Sequence, residues 1–116
     1  MWKDAPLDGV MHEFLATVTG EELWNYVEFL HLRTADAVSG FEDDSIDLIH
    51  VDGNHTKEIA LSDVSNYWPK VRPGGYMIAD DTNWESLRPA LEWLDGCGAI
   101  LVGDYKEWRI YRKPIL

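Results

Sequence analysis

The stretch that decides the fold is residues 45–84, SIDLIHVDGNHTKEIALSDVSNYWPKVRPGGYMIADDTNW. It begins with a β-branched apolar run, Ile46–Val51, flanked by turn residues, which is typical of a buried parallel strand. Apolar spacing then predicts a helix from Thr56 to Trp68 and a second strand at Tyr76–Ala79. A strand, a helix and a strand in succession predict a right-handed βαβ unit whose two parallel strands are neighbours.

Acidic residues directly follow both of these strands. Asp52 and Gly53 come after the first strand, and Asp80 and Asp81 come after the second. Ligands of open α/β sheets bind outside the carboxyl ends of the strands, so we expect the three carboxylates to converge there. Their mutual repulsion would be relieved by Mg²⁺, which accepts carboxylates directly. The alternative is an ordinary Asp-Gly turn and two solvated or helix-capping aspartates.

Among the four histidines, we expect His55 to carry chemistry. It lies three residues beyond Asp52, at the start of the predicted helix, where an imidazole near carboxylates suits a general base. The alternative is a surface histidine at a helix start. His50 and His31 lie inside predicted strands and His12 inside a predicted helix, so we interpret these three as packing residues.

The rest of the chain continues the alternation of helices and strands. Apolar residues spaced as on one helical face predict a helix over Leu7–Val18 that ends at Gly20. The other predicted elements are a helix at Glu21–Tyr26, a strand at Val27–Leu32, helical turns at Thr34–Ser39, a helix at Leu87–Leu94 capped by Ser86, and hairpin strands at Ala99–Gly103 and Trp108–Arg112. This order predicts an α/β fold with a mostly parallel sheet and one antiparallel hairpin strand.

The glycine pair and the tryptophans are interpreted structurally. Gly74-Gly75 precedes a strand instead of linking a strand to a helix, so it predicts a turn and not a phosphate-binding loop. Tryptophans within apolar patterns indicate core packing more than a sugar-stacking platform. These are Trp68, Trp84, Trp93 and Trp108. Trp84 is the exception, because it follows the acidic loop and is placed to form a wall for a substrate.

Composition excludes several classes of function. The 116 residues include 10 Lys and Arg against 21 Asp and Glu, a formal net charge of −11. That balance argues against nucleic acid or an anionic membrane surface as partner, because both need a basic face. The single cysteine, Cys97, excludes an internal disulfide and a cysteine-cluster metal site. Without a signal peptide or a long apolar run, we expect a soluble, cytoplasmic, single-domain protein.

The order of these motifs resembles class I S-adenosylmethionine-dependent methyltransferases, especially the metal-dependent small-molecule and sugar O-methyltransferases. In that family a strand ends in an Asp-Gly pair and a helix follows. A P-K-x-x-P-G-G segment, here PKVRPGG, then leads into a strand that ends in paired acidic or Asp-Asn residues. The resemblance extends more loosely from Trp2 to Arg112. It implies a partial Rossmann-like methyltransferase sheet with a reversed last strand, in one domain spanning residues 1–116.

The resemblance also implies roles for individual residues. Asp52, Asp80 and Asp81 match the family's metal-binding positions, and His55 matches the position of its catalytic base. The loop that lies against the adenine ring of the cofactor matches Thr34, Ala35 and Asp36. The implied reaction holds a substrate hydroxyl on Mg²⁺ while His55 removes its proton, with Asp52 at the same centre. The resulting oxyanion attacks the sulfonium methyl group.

One departure from the family bears on the sheet. The family's first strand, its glycine-rich loop and its second strand should precede Trp2, and the sequence lacks them. Because these strands separate Val27–Leu32 from Ile46–Val51 in the family, we expect exposed sheet edges. The chain would then be a piece of a longer protein, pair those two runs directly, or form a homo-oligomer or bind a partner chain that covers the edge.

Three functions remain open from the sequence. The first is S-adenosylmethionine-dependent O-methylation of a hydroxylated small molecule or sugar. The second is a non-catalytic methyltransferase-like subunit or binding module that has lost the cofactor site. The third is other metal chemistry on the same scaffold, such as the hydroxylation carried out by relatives with a similar Asp-x-x-His loop.

Overall fold

The computed structural model of the chain describes residues 7–53 and 56–115. They belong to two compact units, Met1–His31 and Leu32–Leu116, which we describe separately. The first unit contains helix α1, Leu7–Gly20, at the position that the apolar spacing predicts. Val18 of this helix is buried, and the ring of Phe14 lies 5.4 Å from that of Phe29.

Two predictions that fall in this region are wrong. Glu21–Tyr26 forms turns and not a helix, because Glu22 adopts a left-handed backbone conformation, with φ of 55°, that a helix cannot contain. Val27–Leu32 forms no strand. An apolar run with strand propensity becomes a strand only when a neighbouring strand supplies hydrogen bonds, and none of the described strands pairs with this one.

The second unit alternates helices and strands as predicted. Its elements are α2 (Thr34–Ala37), β1 (Ile46–Val51), α3 (Lys57–Tyr67), β2 (Val71–Asp80), α4 (Arg88–Gly96), β3 (Ile100–Asp104) and β4 (Trp108–Arg112). Helix α3 begins after Thr56, whose hydroxyl accepts a hydrogen bond from the Ile59 N–H at 3.4 Å. Ser86 does not cap α4 as predicted, because a short 3₁₀ turn, Glu85–Leu87, precedes that helix and Leu87 occupies the capping position.

The described strands form one four-stranded mixed sheet in the order β1-β2-β4-β3. The β1–β2 pair is parallel, as the βαβ pattern predicts, and the other two pairs are antiparallel. The predicted mostly parallel sheet therefore needs correction, because of the three pairs that the described strands form only β1–β2 is parallel. The terminal hairpin docks onto β2 through its second strand, so β4 is reversed and β3 again runs in the direction of β1 and β2.

The parallel pair contains an irregularity at the glycine pair. The register changes between Ile46 and Leu48 of β1, opposite the part of β2 that contains Gly74 and Gly75. Gly74 has a φ of +80°, and a Cβ on Gly75 would lie 2.8 Å from the carbonyl oxygen of Asp47. The predicted turn is thus a local distortion inside β2, where only glycine allows the two backbones to approach so closely.

The core of this unit lies between one face of the sheet and helices α3 and α4. Fully buried side chains come from both layers, and they include Val64, Met77, Ala79, Leu94 and Tyr111. Side chains on the opposite face of the strands are more exposed, with Leu48 at 57% and Tyr76 at 38%. This alternation follows the two-residue period of a strand. It also decides on which face of the sheet a side chain lies near the carboxyl ends of β1 and β2.

The tryptophans divide between core and surface. Trp68 is buried and Trp93 packs against the core, in agreement with the core interpretation. Trp84 is 44% exposed, in agreement with its treatment as an exception. Core packing is wrong for Trp108, which is 36% exposed and stacks on Tyr105 with a centroid distance of 4.3 Å.

Candidate metal centre

Three metal-ligating side chains meet where β1 and β2 end. His50 lies in β1, Asp52 directly follows that strand, and Asp80 is the last residue of β2. One potential ligand atom of each lies within 4.8 Å of the others. The parallel register explains the convergence, since Val51 pairs with Ala79 and the next step along both strands reaches Asp52 and Asp80.

His50 and Asp80 are in direct contact. The His50 Nε2 atom lies 2.9 Å from Asp80 Oδ2, and the two side chains are 52% and 30% exposed. The other oxygen of Asp80, Oδ1, accepts a hydrogen bond from the Asp81 N–H at 2.9 Å. These two contacts fix the orientation of the Asp80 carboxylate. The prediction that His50 is a packing residue is wrong, because the strand directs its ring to the open face of the sheet.

Asp81 is placed differently from the other two predicted metal ligands. It comes directly after the last residue of β2 and so lies outside the strand. Its backbone is left-handed, with φ of 55°, and its carbonyl oxygen accepts a hydrogen bond from the Trp84 N–H at 3.0 Å. Of the described residues, the three-ligand group contains His50, Asp52 and Asp80, without Asp81.

The predicted base, His55, lies outside the described residues, as does its neighbour Asn54. Its assignment as a general base stays a prediction.

A buried carboxylate on α3 links the predicted cofactor loop to this region. Asp63 is only 5% exposed and accepts a hydrogen bond from the Thr34 hydroxyl at 2.6 Å. A Cβ on Gly53 would lie 3.0 Å from the other oxygen of Asp63. Asp63 also lines a shallow depression together with Asp52 and Asp80. Helix α3 thereby supports both the turn at Thr34 and the loop after β1.

Tyr67, which lies one helical turn after Asp63 on α3, also contacts Thr34, through the Thr34 backbone. Its hydroxyl donates a hydrogen bond to the Thr34 carbonyl oxygen at 2.6 Å. Burial raises the pKa of Tyr67, and the negative charge of Asp63 raises it further. Thr34 begins α2, and the other two predicted cofactor-binding residues, Ala35 and Asp36, lie exposed in the same short helix.

The loop after β2 is braced by the hairpin. The Thr82 N–H donates to the carbonyl oxygen of Glu107 at 2.9 Å, and the Thr82 hydroxyl donates to that of Lys106 at 3.2 Å. Trp84, Arg88 and Arg109 help to line an open groove beside this loop. Whether Trp84 forms a wall for a substrate stays a prediction.

Two residues of this region were missed by the sequence analysis. His50 could have been found from strand periodicity, because in β1 it alternates with Ile49 and Val51, whose side chains pack against the core. No local signal identifies Asp63, which resembles any polar residue of an amphipathic helix. Its contact with Thr34 joins residues 29 positions apart in the sequence.

The donor set fits a divalent cation. Two carboxylates supply the hard oxygen ligands that Mg²⁺, Mn²⁺ and Ca²⁺ accept, and one imidazole adds a nitrogen ligand typical of transition metals.

No helix of the described ranges, 7–53 and 56–115, is both long and apolar enough to cross a membrane.

Comparison with known proteins places most of the chain in one family. Residues 4–82 match a family described as a methyltransferase domain. The uncharacterized protein y4gI of Sinorhizobium fredii is 34% identical over 74 residues, which represent 54% of this chain and 8% of that protein. The chain therefore corresponds to a small part of that curated relative.

Two solved structures share the fold. A protein from Corynebacterium glutamicum superposes with a TM-score of 0.75 and 20% identity, over 92% of this chain and 58% of its own. The O-methyltransferase NovP superposes with a TM-score of 0.52 and 21% identity, over 61% of this chain and 31% of its own. At these identities the likeness concerns the fold alone.

Proposed function

The chain belongs to the methyltransferase domain family, and from this premise we propose that it takes part in S-adenosylmethionine-dependent O-methyl transfer. The acceptor is a hydroxylated small molecule or sugar, and a divalent cation such as Mg²⁺ assists. The observation that carries this proposal is the convergence of Asp52 and Asp80 where parallel strands β1 and β2 end. In open α/β sheets, ligands bind outside the carboxyl ends of the strands.

Each residue has a distinct part in the proposal. Asp52 and Asp80 would hold the cation, which would lower the pKa of a substrate hydroxyl. His55 would accept the proton of that hydroxyl. The segment Thr34, Ala35 and Asp36 would contact the adenine ring of the cofactor. Asp63 supports this proposal, because its hydrogen bond to the Thr34 hydroxyl would hold that turn in place for the cofactor.

We also propose that the edge of β1 is covered in the working protein. Among the described strands, β1 pairs with β2 alone, so its other edge has backbone groups available for pairing. A second copy of the chain, or a partner chain, would add a strand there. The activity would then belong to that assembly and not to these 116 residues alone.

The proposal is tested by methyl transfer from radiolabelled S-adenosylmethionine to a panel of catechols and sugars, with and without Mg²⁺. We expect Asp52→Ala and Asp80→Ala to lower turnover by more than about 100-fold, beyond the loss typical of groups that only orient a ligand. Asp47→Ala is the matched control, since its β1 carboxylate is 81% exposed and pairs with Arg72. Equal turnover in all variants contradicts the proposal, and so does the absence of cofactor binding by calorimetry in a protein whose β1 edge is covered by a second copy or a partner chain.

The alternative is a non-catalytic methyltransferase-like module. The edge position of β1 among the described strands favours it, because an edge strand can pair with a strand of another chain. This alternative predicts that the protein forms a stable complex in sedimentation while neither binding S-adenosylmethionine nor transferring methyl groups.

A further inference from the structure

His50 lies beside the two carboxylates of the candidate site. It is part of β1, and Asp52 follows the end of that strand two positions later. Asp80 joins them from β2, and the ligand atoms of all three lie within 4.8 Å of one another. His50 and Asp52 are exposed and Asp80 is half-buried, so an ion from solvent can reach all three.

The contact between His50 and Asp80 keeps two potential ligand atoms together at the site. The distance from His50 Nε2 to Asp80 Oδ2 is 2.9 Å, a hydrogen bond whose proton a cation bound by both atoms would replace. Adjacent ligands of an octahedral ion with bonds of about 2.1 Å are also separated by about 3.0 Å, so this exchange needs little movement of either side chain. The Asp81 N–H occupies the other oxygen of Asp80 and leaves Oδ2 directed at His50. An outer hydrogen bond of this kind is how proteins orient a ligating carboxylate.

We propose that His50, and not Asp81, is the third protein ligand of the cation held by Asp52 and Asp80. This inference rests on the proposed function and refines its metal site. Asp81 contributes its backbone N–H to Asp80. The imidazole makes the site selective, because a nitrogen ligand is accepted more readily by Mn²⁺ and later transition metals than by Mg²⁺. We expect Mn²⁺ to bind at least about tenfold more tightly than Mg²⁺.

The test uses Mn²⁺ alone with the 116-residue protein, in titration calorimetry and in pulsed electron paramagnetic resonance. A coordinated imidazole couples the ¹⁴N nucleus to the electron spin of Mn²⁺ and produces a modulation that oxygen ligands do not. We expect this modulation in the wild type and its loss in His50→Gln, with at least tenfold weaker Mn²⁺ binding. Gln keeps a polar side chain at this exposed strand position, so the variant is expected to fold.

Two control variants separate His50 from its neighbours. Asp81→Asn should change Mn²⁺ affinity less than threefold, and His55→Ala should keep the nitrogen modulation. The proposal is overturned if the wild type binds no Mn²⁺ or binds it without nitrogen modulation. It is also overturned if the modulation persists in His50→Gln, or if Asp81→Asn weakens binding more than His50→Gln does.

The metal experiment and the cofactor experiment can fail separately. Nitrogen modulation that depends on His50, without any binding of S-adenosylmethionine, would support this ligand set and contradict the proposed function. Cofactor binding and methyl transfer in a protein whose Mn²⁺ shows no nitrogen ligand would do the reverse.

Discussion

The parallel half of the sheet (β1, α3 and β2) and the hairpin half (β3 and β4) differ in what they can build. A crossover helix returns the chain so that β1 and β2 end at the same edge, and Asp52 and Asp80 emerge side by side. The strands of a hairpin run in opposite directions, so their carboxyl ends lie at opposite edges. The hairpin instead braces the loop after β2, through the hydrogen bond from the Thr82 N–H to Glu107. The comparison shows that the candidate metal ligands come together because β1 and β2 run in the same direction.

The largest expected effect on stability comes from a cavity in the parallel half of the sheet. Met77 is the fully buried side chain of β2 that packs between the sheet and the helices. Met77→Ala should lower the free energy of unfolding by about 2–5 kcal/mol, because it removes buried methylene groups and leaves a void. Urea denaturation followed by tryptophan fluorescence measures this loss.

The matched truncation in the hairpin half is Leu101→Ala. Leu101 lies in the outer strand β3 and is 46% exposed, so its removal should cost less than about 1 kcal/mol. Equal losses for Met77→Ala and Leu101→Ala would mean that the outer hairpin strand shares the core, contrary to the comparison.

A second, smaller effect is expected where α3 supports the turn at Thr34. Tyr67→Phe removes the hydrogen bond from the buried hydroxyl to the Thr34 carbonyl oxygen. The free energy of unfolding at neutral pH should fall by about 1 kcal/mol. Tyr105→Phe is the control, because Tyr105 is 55% exposed.

The same variant changes the alkaline stability curve. Burial and the charge of Asp63 raise the pKa of Tyr67 above its ordinary value of 10.0, so the unfolded chain releases the phenolic proton first. The stability that the protonated Tyr67 hydroxyl contributes is present below pH 10 and is lost as the pH rises through the raised pKa. Tyr67→Phe should therefore give a shallower fall in stability above pH 10. Superimposable curves for wild type and variant would contradict this reading.

The fold of the second unit could largely be predicted from local patterns. The β-branched run at Ile46–Val51, the capped helix after Thr56 and the terminal hairpin each carry a signal within a few residues. Val27–Leu32 carries a similar signal and forms no strand. A strand depends on a partner elsewhere in the chain, and apolar periodicity does not report whether that partner exists.

The candidate site was predictable in part. That strands β1 and β2 are adjacent follows from the βαβ rule, and this rule alone brings Asp52 and Asp80 together. Asp81 was predicted with them from its adjacency to Asp80 and from the family resemblance, whereas the ligand atoms that lie close together are those of His50, Asp52 and Asp80. Whether Asp81 or His50 binds a cation stays a prediction for the Mn²⁺ experiment. Asp63 lay beyond prediction because its partner, Thr34, is distant in sequence.

The smallest expected effect lies at the joint between the two halves. Thr82→Ala removes only the hydrogen bond from the hydroxyl to the Lys106 carbonyl oxygen, and it leaves the backbone bond to Glu107 intact. Because the site is exposed, the loss should stay below about 1 kcal/mol, while Thr82→Ser should keep the bond. The loop should nevertheless open more often, so the Trp84 N–H, bonded to the Asp81 carbonyl, should exchange with solvent faster in Thr82→Ala than in Thr82→Ser. Equal exchange in the two variants would show that the hairpin braces this loop through its backbone alone.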